Sequence, residues 1–173
     1  MNQFPHYSPE TRSVQWYTPP EVLDKVLTFF GGRVDLDPCS DSKTFPNVPC
    51  NRCFTSQDDG LSQIWAASTV FVNHPYKDSK TWIPYARKMY DEGHSQEIVL
   101  LIKFDPSTKW FASLASFPLI LIDHRLKFIR GTGTEPSASA NFPSALVYMG
   151  DRVDAFITTF RSLGHPYVPF PKQ

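Results

Sequence analysis

The sequence predicts an α/β domain built on a mostly parallel sheet with helices on both faces. Short β-branched runs alternate along the chain with segments whose apolar residues recur at helical spacing, the pattern of strands joined by crossover helices. The run Glu97-Ile98-Val99-Leu100-Leu101-Ile102 is apolar without alternation, as a strand covered on both sides must be. A length of 173 residues allows one domain with a substantial core but not comfortably two.

Taken in order, residues 1–15 are polar and Pro-containing and read as an N-terminal arm, which leaves 16–173 as the folded domain. A helix is punctuated by Thr18-Pro19-Pro20-Glu21: Thr18 as the capping hydroxyl, Pro19 at the first helical position, and Glu21 three residues after the cap. Val22, Leu23, Val26, Leu27 and Phe30 follow at helical spacing, and Gly31-Gly32 stops the helix. A strand over 33–36 runs into Asp37-Pro38-Cys39-Ser40. Residues 41–58, dense in Pro, Asn and Ser, read as a long functional loop. The apolar run Val70-Phe71-Val72 is a buried strand that stops abruptly at Asn73-His74-Pro75-Tyr76. A helix over 79–92 carries Trp82, Tyr85, Ala86 and Met89 on one face, with Gly93 at its end. The strand at 97–102 follows, then a helix with Trp110, Phe111 and Leu114, and strands at 119–122 and 126–129. A Gly/Ser/Thr-rich loop at 131–140 precedes a strand at 145–149 and a last helix with Val153, Phe156, Ile157 and Phe160.

Composition narrows the function classes. A hydrophobic content of 41% with 20% charged residues is that of an ordinary globular protein. No apolar run approaches membrane-spanning length and Met1-Asn2-Gln3-Phe4-Pro5 has no signal-peptide pattern, so a cytoplasmic protein without a membrane partner is expected. Three cysteines argue against a disulfide framework. Cys50 and Cys53 have the C-x-x-C spacing of a zinc or redox pair, but no second pair exists and the two fall in a loop, so no metal is expected. A net charge of zero counts against a nucleic-acid partner, since Lys and Arg supply sequence-independent affinity for phosphate. The cations are nevertheless clustered, with Lys77, Lys80, Arg87 and Lys88 after Asn73 and His124-Arg125-Leu126-Lys127-Phe128-Ile129-Arg130 further on. Either stretch taken alone reads more simply as a solvated face.

Asp37 and Asn73 both follow predicted strands, so in a parallel sheet they face one crevice at the strands' carboxyl ends. An Asn/Asp-Pro-Pro-Tyr tetrapeptide in this position is the working loop of methyltransferases that modify an amino nitrogen, and Asn73-His74-Pro75-Tyr76 resembles it. The residue types suit the chemistry. The exocyclic amine of adenine is a poor nucleophile because its lone pair is delocalised into the ring. Two acceptors aimed at its hydrogens, the Asn73 side-chain oxygen and the His74 backbone carbonyl, localise that lone pair and stabilise the developing positive charge. Tyr76 lies against the base, which must first leave the duplex at a cost of roughly a few kcal/mol. His74 restores an N–H that the usual Pro lacks, while Pro75 keeps it biased to extended geometry. The plainer reading is a turn after a core strand.

Trp16-Tyr17-Thr18-Pro19-Pro20, Asp35-Leu36-Asp37-Pro38-Cys39-Ser40, Asp58-Asp59-Gly60-Leu61 with Trp65, and Val72-Asn73-His74-Pro75-Tyr76 stand in that order along the chain. Together with Lys103-Phe104-Asp105, Ser107-Thr108-Lys109-Trp110-Phe111 and Asn141-Phe142-Pro143-Ser144-Ala145-Leu146-Val147, they resemble the phage and prophage DNA N6-adenine methyltransferase family across roughly residues 16–150. The resemblance implies a single-domain Rossmann-like methyltransferase fold, S-adenosylmethionine as methyl donor, DNA as partner, and protection from restriction in the cytoplasm of a bacterial host. It implies cofactor contacts from Trp16, Tyr17, Thr18 and Pro19, from Asp35, Asp37, Pro38, Cys39 and Ser40, and from Asp58 or Asp59. Phosphate contacts fall to Lys77, Lys103, Lys109, Arg125 and Lys127. Two departures stand out: His74 replaces the usual Pro, and Ser40-Asp41-Ser42 replaces a Gly-rich turn. The same loop type also serves glutamine methyltransferases, and the departures are compatible with a degenerate fold kept for binding DNA or protein. Target specificity is expected from the loops 41–57 and 131–140.

Overall fold

The computed structural model describes residues 16–130 and 139–169. The arm expected at 1–15 and most of the loop at 131–140 lie outside the described residues. The elements run β1 (Trp16–Tyr17), α1 (Pro20–Phe29), β2 (Val34–Asp37), β3 (Cys50–Cys53), β4 (Ala67–Val72), α2 (Ser79–Asp91), β5 (Ser95–Lys103), α3 (Lys109–Ala112), β6 (Leu119–Ile122), β7 (Ile129–Arg130), β8 (Ser144–Met149), α4 (Val153–Phe160) and β9 (Gly164–Tyr167). One seven-stranded sheet has the order β3-β2-β4-β5-β8-β6-β9, and β1 pairs with β7 in a separate antiparallel ribbon.

The sheet is mixed, which corrects the expectation of a mostly parallel one. The pairings β3-β2, β2-β4 and β4-β5 are parallel, while β5-β8, β8-β6 and β6-β9 are antiparallel. Parallel neighbours need a long crossover, usually helical, whereas a direct return gives an antiparallel pair. No described helix lies between β6 and β8, and β8 inserts between β5 and β6 running against both.

Two strands escape the sequence pattern for opposite reasons. β3 lies inside the expected loop at 41–58 because its Asn51 and Arg52 are exposed on a sheet edge, leaving no apolar alternation. β9 reads as a turn because it contains Gly164 and Pro166, and an edge strand is where a sheet tolerates Pro. The strand expected at 126–129 is only the two residues of β7, since Leu126 and Phe128 go into the core instead.

Alternation along the central strands divides the core in two. Phe71, Val99, Leu101, Leu146 and Tyr148 face α1 and α4, packing with Val22, Val26, Phe29, Phe156 and Phe160. Val70, Val72, Ile98, Leu100, Ile102, Ala145, Val147 and Met149 face the other way, against Trp82, Ile83, Ala86 and Met89 of α2. Covering both faces is what makes the runs Ile98 to Ile102 of β5 and Ala145 to Met149 of β8 apolar without alternation. Leu36 of β2 lies opposite Val70 of β4 in parallel register, so the segments after Asp37 and after Val72 emerge side by side at one edge. That edge holds the site.

Candidate active site

A cavity of about 650 Å³ opens where β2, β3 and β4 end and β1 crosses above them. Its wall includes Trp16, Tyr17 and Thr18, the run from Asp37 to Asp41, Asp59 and Gly60, and the run from Asn73 to Asp78.

Asn73 is the first residue after β4, and its amide has a fixed orientation. Its Nδ2 donates to the carbonyl of Trp16 at 3.2 Å and to Thr18 Oγ1 at 3.1 Å. A carbonyl only accepts, so the NH2 must face Trp16 and the Oδ1 must face away from it. Among the described residues nothing donates to that Oδ1, so the side chain offers the cavity an acceptor held from behind by β1. Thr18 therefore does not cap α1. The helix starts one residue later than expected, after Pro19 and without a side-chain cap bond, and the buried Thr18 hydroxyl serves Asn73 instead.

His74 is 2% exposed and forms part of a relay. Ser79 Oγ donates to the Tyr76 carbonyl at 2.7 Å, and its only hydrogen is used there, so His74 Nε2, 2.8 Å away, must carry the proton in their contact. The ring stacks near Trp82 with 6.4 Å between centroids. Burial holds the imidazole down to about 4, keeping it neutral, and leaves Nδ1 as a buried acceptor with no described partner. Tyr76 sits in an aromatic cluster, with centroids 5.2 Å from Phe142 and 5.9 Å from Phe128. Its hydroxyl is buried without a described partner, and burial, then the nearby Cys39, raises its pKa.

Asp37 ends β2 and is 5% exposed. Its Oδ1 accepts from the Cys39 N–H at 3.0 Å, but burial outweighs this and pushes the pKa up to about 7. The Cys39 thiol is raised by burial and then by Asp37. Tyr17 donates its hydroxyl to Asp41, and that bond, with some burial, raises the Tyr17 pKa to about 12. The tie fastens β1 across the cavity mouth.

The segment after β3 supplies the third wall. An alanine methyl at Gly60 would lie 2.0 Å from the Pro38 carbonyl oxygen, so only glycine allows these two loops to touch. Fully buried Trp65 secures the contact by donating Nε1–H to the Gly60 carbonyl at 2.8 Å. Of the two adjacent carboxylates, Asp59 lines the cavity and Asp58 does not. Asp58 accepts from Thr55 N at 2.8 Å and pairs with Lys43 at 2.5 Å, and those donors hold it down to about 2.

Thirteen expected residues thus share one cavity: Trp16, Tyr17, Thr18, Asp37, Pro38, Cys39, Ser40, Asp59 and the run Asn73 to Lys77. Pro19 and Asp58 lie outside its wall, as does Asp35, whose carboxylate is occupied by Asn51 Nδ2 and by the N–H groups of Ser68 and Thr69. Lys103, Lys109, Arg125 and Lys127 are also outside it, Lys103 lying 3.8 Å from Asp105. Trp82 also lines the cavity without having been expected there, as do Asp41 and Thr55 of the loop expected to carry specificity and Phe142 of a motif given no role. A residue from a core-facing helix stripe, such as Trp82, carries no local signal that one edge of its ring borders a site. Cys50 and Cys53 are free, and no cluster of three or more metal-ligating side chains occurs among the described residues. No helix among them is long and apolar enough to cross a membrane.

Comparison with known proteins gives two findings. A Haemophilus phage HP1 (strain HP1c1) protein named DNA N-6-adenine-methyltransferase is 26% identical over 137 residues, covering 76% of each chain. The family profile described as DNA N-6-adenine-methyltransferase (Dam) matches residues 7–164, which takes in every strand of the sheet but β9, of which it reaches the first residue, and every wall of the cavity. The chain belongs to the DNA N-6-adenine-methyltransferase (Dam) family.

Proposed function

We propose that this enzyme transfers a methyl group from S-adenosylmethionine to N6 of adenine in DNA, using the cavity between β1, Asp37 and Asn73. The observation that carries the reading is the fixed amide of Asn73, whose two donors are spent on Trp16 and Thr18 while its oxygen has no described partner.

The cavity suits the cofactor. Its volume falls within the usual range of ligand pockets. Asp37 is a buried carboxyl whose burial outweighs its donors, the Cys39 N–H and the side chains of Cys39 and Ser40, so its charged form calls for a cation, and the methionyl ammonium supplies one. Asp59, which also lines the cavity, supplies the acceptor for the cofactor's adenine amino group in this reading. S-adenosylmethionine when bound supplies a methyl group on a sulfonium sulfur, a good leaving group.

The chain's own residues do the rest. Adenine leaves the stack and enters beside Asn73. Asn73 Oδ1 accepts one N6 hydrogen and the His74 carbonyl accepts the other, so positive charge developing on N6 meets two oriented dipoles that need no reorganisation, and the methylated amine then releases one proton to water. The His74–Ser79–Tyr76 relay keeps the loop backbone in place where the usual motif relies on a second Pro. The ring of Tyr76, braced by Phe128 and Phe142, borders the base site. Lys77 at the rim contacts phosphate. A role protecting DNA from restriction in a bacterial cytoplasm is consistent with the phage relative. Nothing in the site favours a glutamine amide or a binding-only role.

Expression in a host without adenine methylation, followed by mass spectrometry of its DNA, tests the reading. N6-methyladenine is expected with the native chain and at least about a hundredfold less with Asn73→Ala, which removes an oriented acceptor. Methyladenine undiminished in the variant, or absent with the native chain, overturns it.

A further inference from the structure

Phe45 is 83% exposed, more than any other large apolar side chain among the described residues. An exposed phenyl ring on a loose loop would need no explanation, but this loop is braced. Ser42 Oγ accepts from the N–H groups of both Thr44 and Phe45, at 3.2 and 3.1 Å. The Ser42 carbonyl accepts from Ser40 Oγ at 3.1 Å and from Cys53 Sγ at 3.6 Å. Lys43 is pinned to Asp58 at 2.5 Å. Pro46 confines the Phe45 backbone to extended geometry by steric exclusion. The fold therefore fixes the base of an apolar side chain and leaves its ring in water.

The position of the loop says what the ring meets. Residues on both arms line the cavity, Asp41 and Ser40 before Phe45 and Asn47 and Val48 after it. Phe45 thus stands at the apex of an exposed loop whose two arms both border the cavity. Extrusion leaves a gap in the duplex, and apolar wedges inserted between base steps are a recurring way to hold such a distortion open. A ring presented on rigid backbone does this at little entropic cost, because few torsions remain to be frozen.

We propose that Phe45 is the wedge that occupies the space vacated by the target adenine. The proposal rests on the DNA-adenine reading above and adds the residue that holds the base out of the stack. Being almost wholly exposed, Phe45 contributes little to folding, so Phe45→Ala leaves a folded enzyme with an intact cavity. Lys43 and Asp58, which brace the loop, stay in place.

The test compares two duplexes that share the methylated sequence mapped from host DNA. In one the target adenine is paired with thymine; in the other it faces an abasic site and is already unpaired. Rates are measured under single-turnover conditions for the native enzyme and for Phe45→Ala and Phe45→Leu. Phe45→Ala is expected to lose roughly tenfold or more on the paired duplex and less than about threefold on the unpaired one, because only the former requires base-pair opening. Phe45→Leu, which keeps an apolar wedge, is expected to recover most of the loss. Equal rates for native and Phe45→Ala enzyme on the paired duplex overturn the proposal, as do equal losses on both duplexes, which would make Phe45 a general binding contact. If the native enzyme methylates neither duplex, the underlying reading fails, and the wedge with it.

Discussion

Asp37 and His74 show what burial does to single residues at the rim of a cavity. Each is held against its charged form, but the consequences differ. Asp37, raised to about 7, is about half protonated at neutral pH in the free protein. A cationic ligand favours its carboxylate, so S-adenosylmethionine affinity is expected to rise with pH, approaching tenfold per pH unit below about 7 and levelling off above it. Calorimetric titrations at several pH values check this, and Asp37→Asn is expected to bind weakly with no such slope. A slope that survives in Asp37→Asn assigns the proton elsewhere. His74 is the opposite case, an imidazole kept neutral so that its Nε2–H donates to Ser79. Thr18 shows how a local rule yields to a distant partner. Its hydroxyl was available to cap α1, but Asn73, 55 positions away, takes it.

At the level of elements, the site is a junction of three loops and one ribbon, and Gly60 is the tightest point in it. Gly60→Ala would drive a methyl group into the Pro38 carbonyl and against Trp82, where backbone and a buried indole have little room to yield. The expected cost is about 1–3 kcal/mol of stability, read as a lower urea midpoint, together with weaker cofactor binding because the Asp37–Ser40 turn moves. A variant with unchanged midpoint and binding would show that the two loops can separate freely. The ribbon of β1 and β7 is equally local in construction and remote in effect. Trp16 pairs with Arg130 and Tyr17 with Ile129, so a strand of two residues is held across the sheet's carboxyl edge, where Asn73 leans on it. β3 braces the wedge loop through Cys53 and carries at its end the Thr55 and Asp59 wall of the cavity.

For the whole molecule, Asp37 and His74, buried groups that titrate between acid and neutral pH, set opposing pH dependences of stability. The raised Asp37 contributes stability present below about 4 that is lost as pH rises through about 7, because the unfolded carboxyl ionises first. The depressed His74 contributes stability present above about 6.5 that is lost as pH falls toward about 4, because the unfolded imidazole protonates first. Each is worth about 3–4 kcal/mol across its window, so between about pH 4 and 6.5 the two slopes largely cancel. Removing one exposes the other. Asp37→Asn is expected to gain about 3 kcal/mol of unfolding free energy from pH 4 to 6.5, against a nearly flat native profile, as read by urea denaturation at several pH values. A flat profile in the variant would mean that His74 protonates without penalty. The sequence by itself determined the α/β class, the central strands, the helices α1, α2 and α4, and the motifs that end β2 and β4. Those signals are local: apolar periodicity, glycine stops, and an acceptor-Pro-aromatic run after a buried strand. Only the tertiary structure decided that β8 inserts antiparallel, that β3 and β9 are strands, that Asp59 rather than Asp58 lines the cavity, and that Asp35 is tied up beside it. Strand order and edge pairing leave no periodic trace in composition. Which of two neighbouring carboxylates faces a ligand depends on donors such as Thr55 and Lys43, and folding alone brings those into reach.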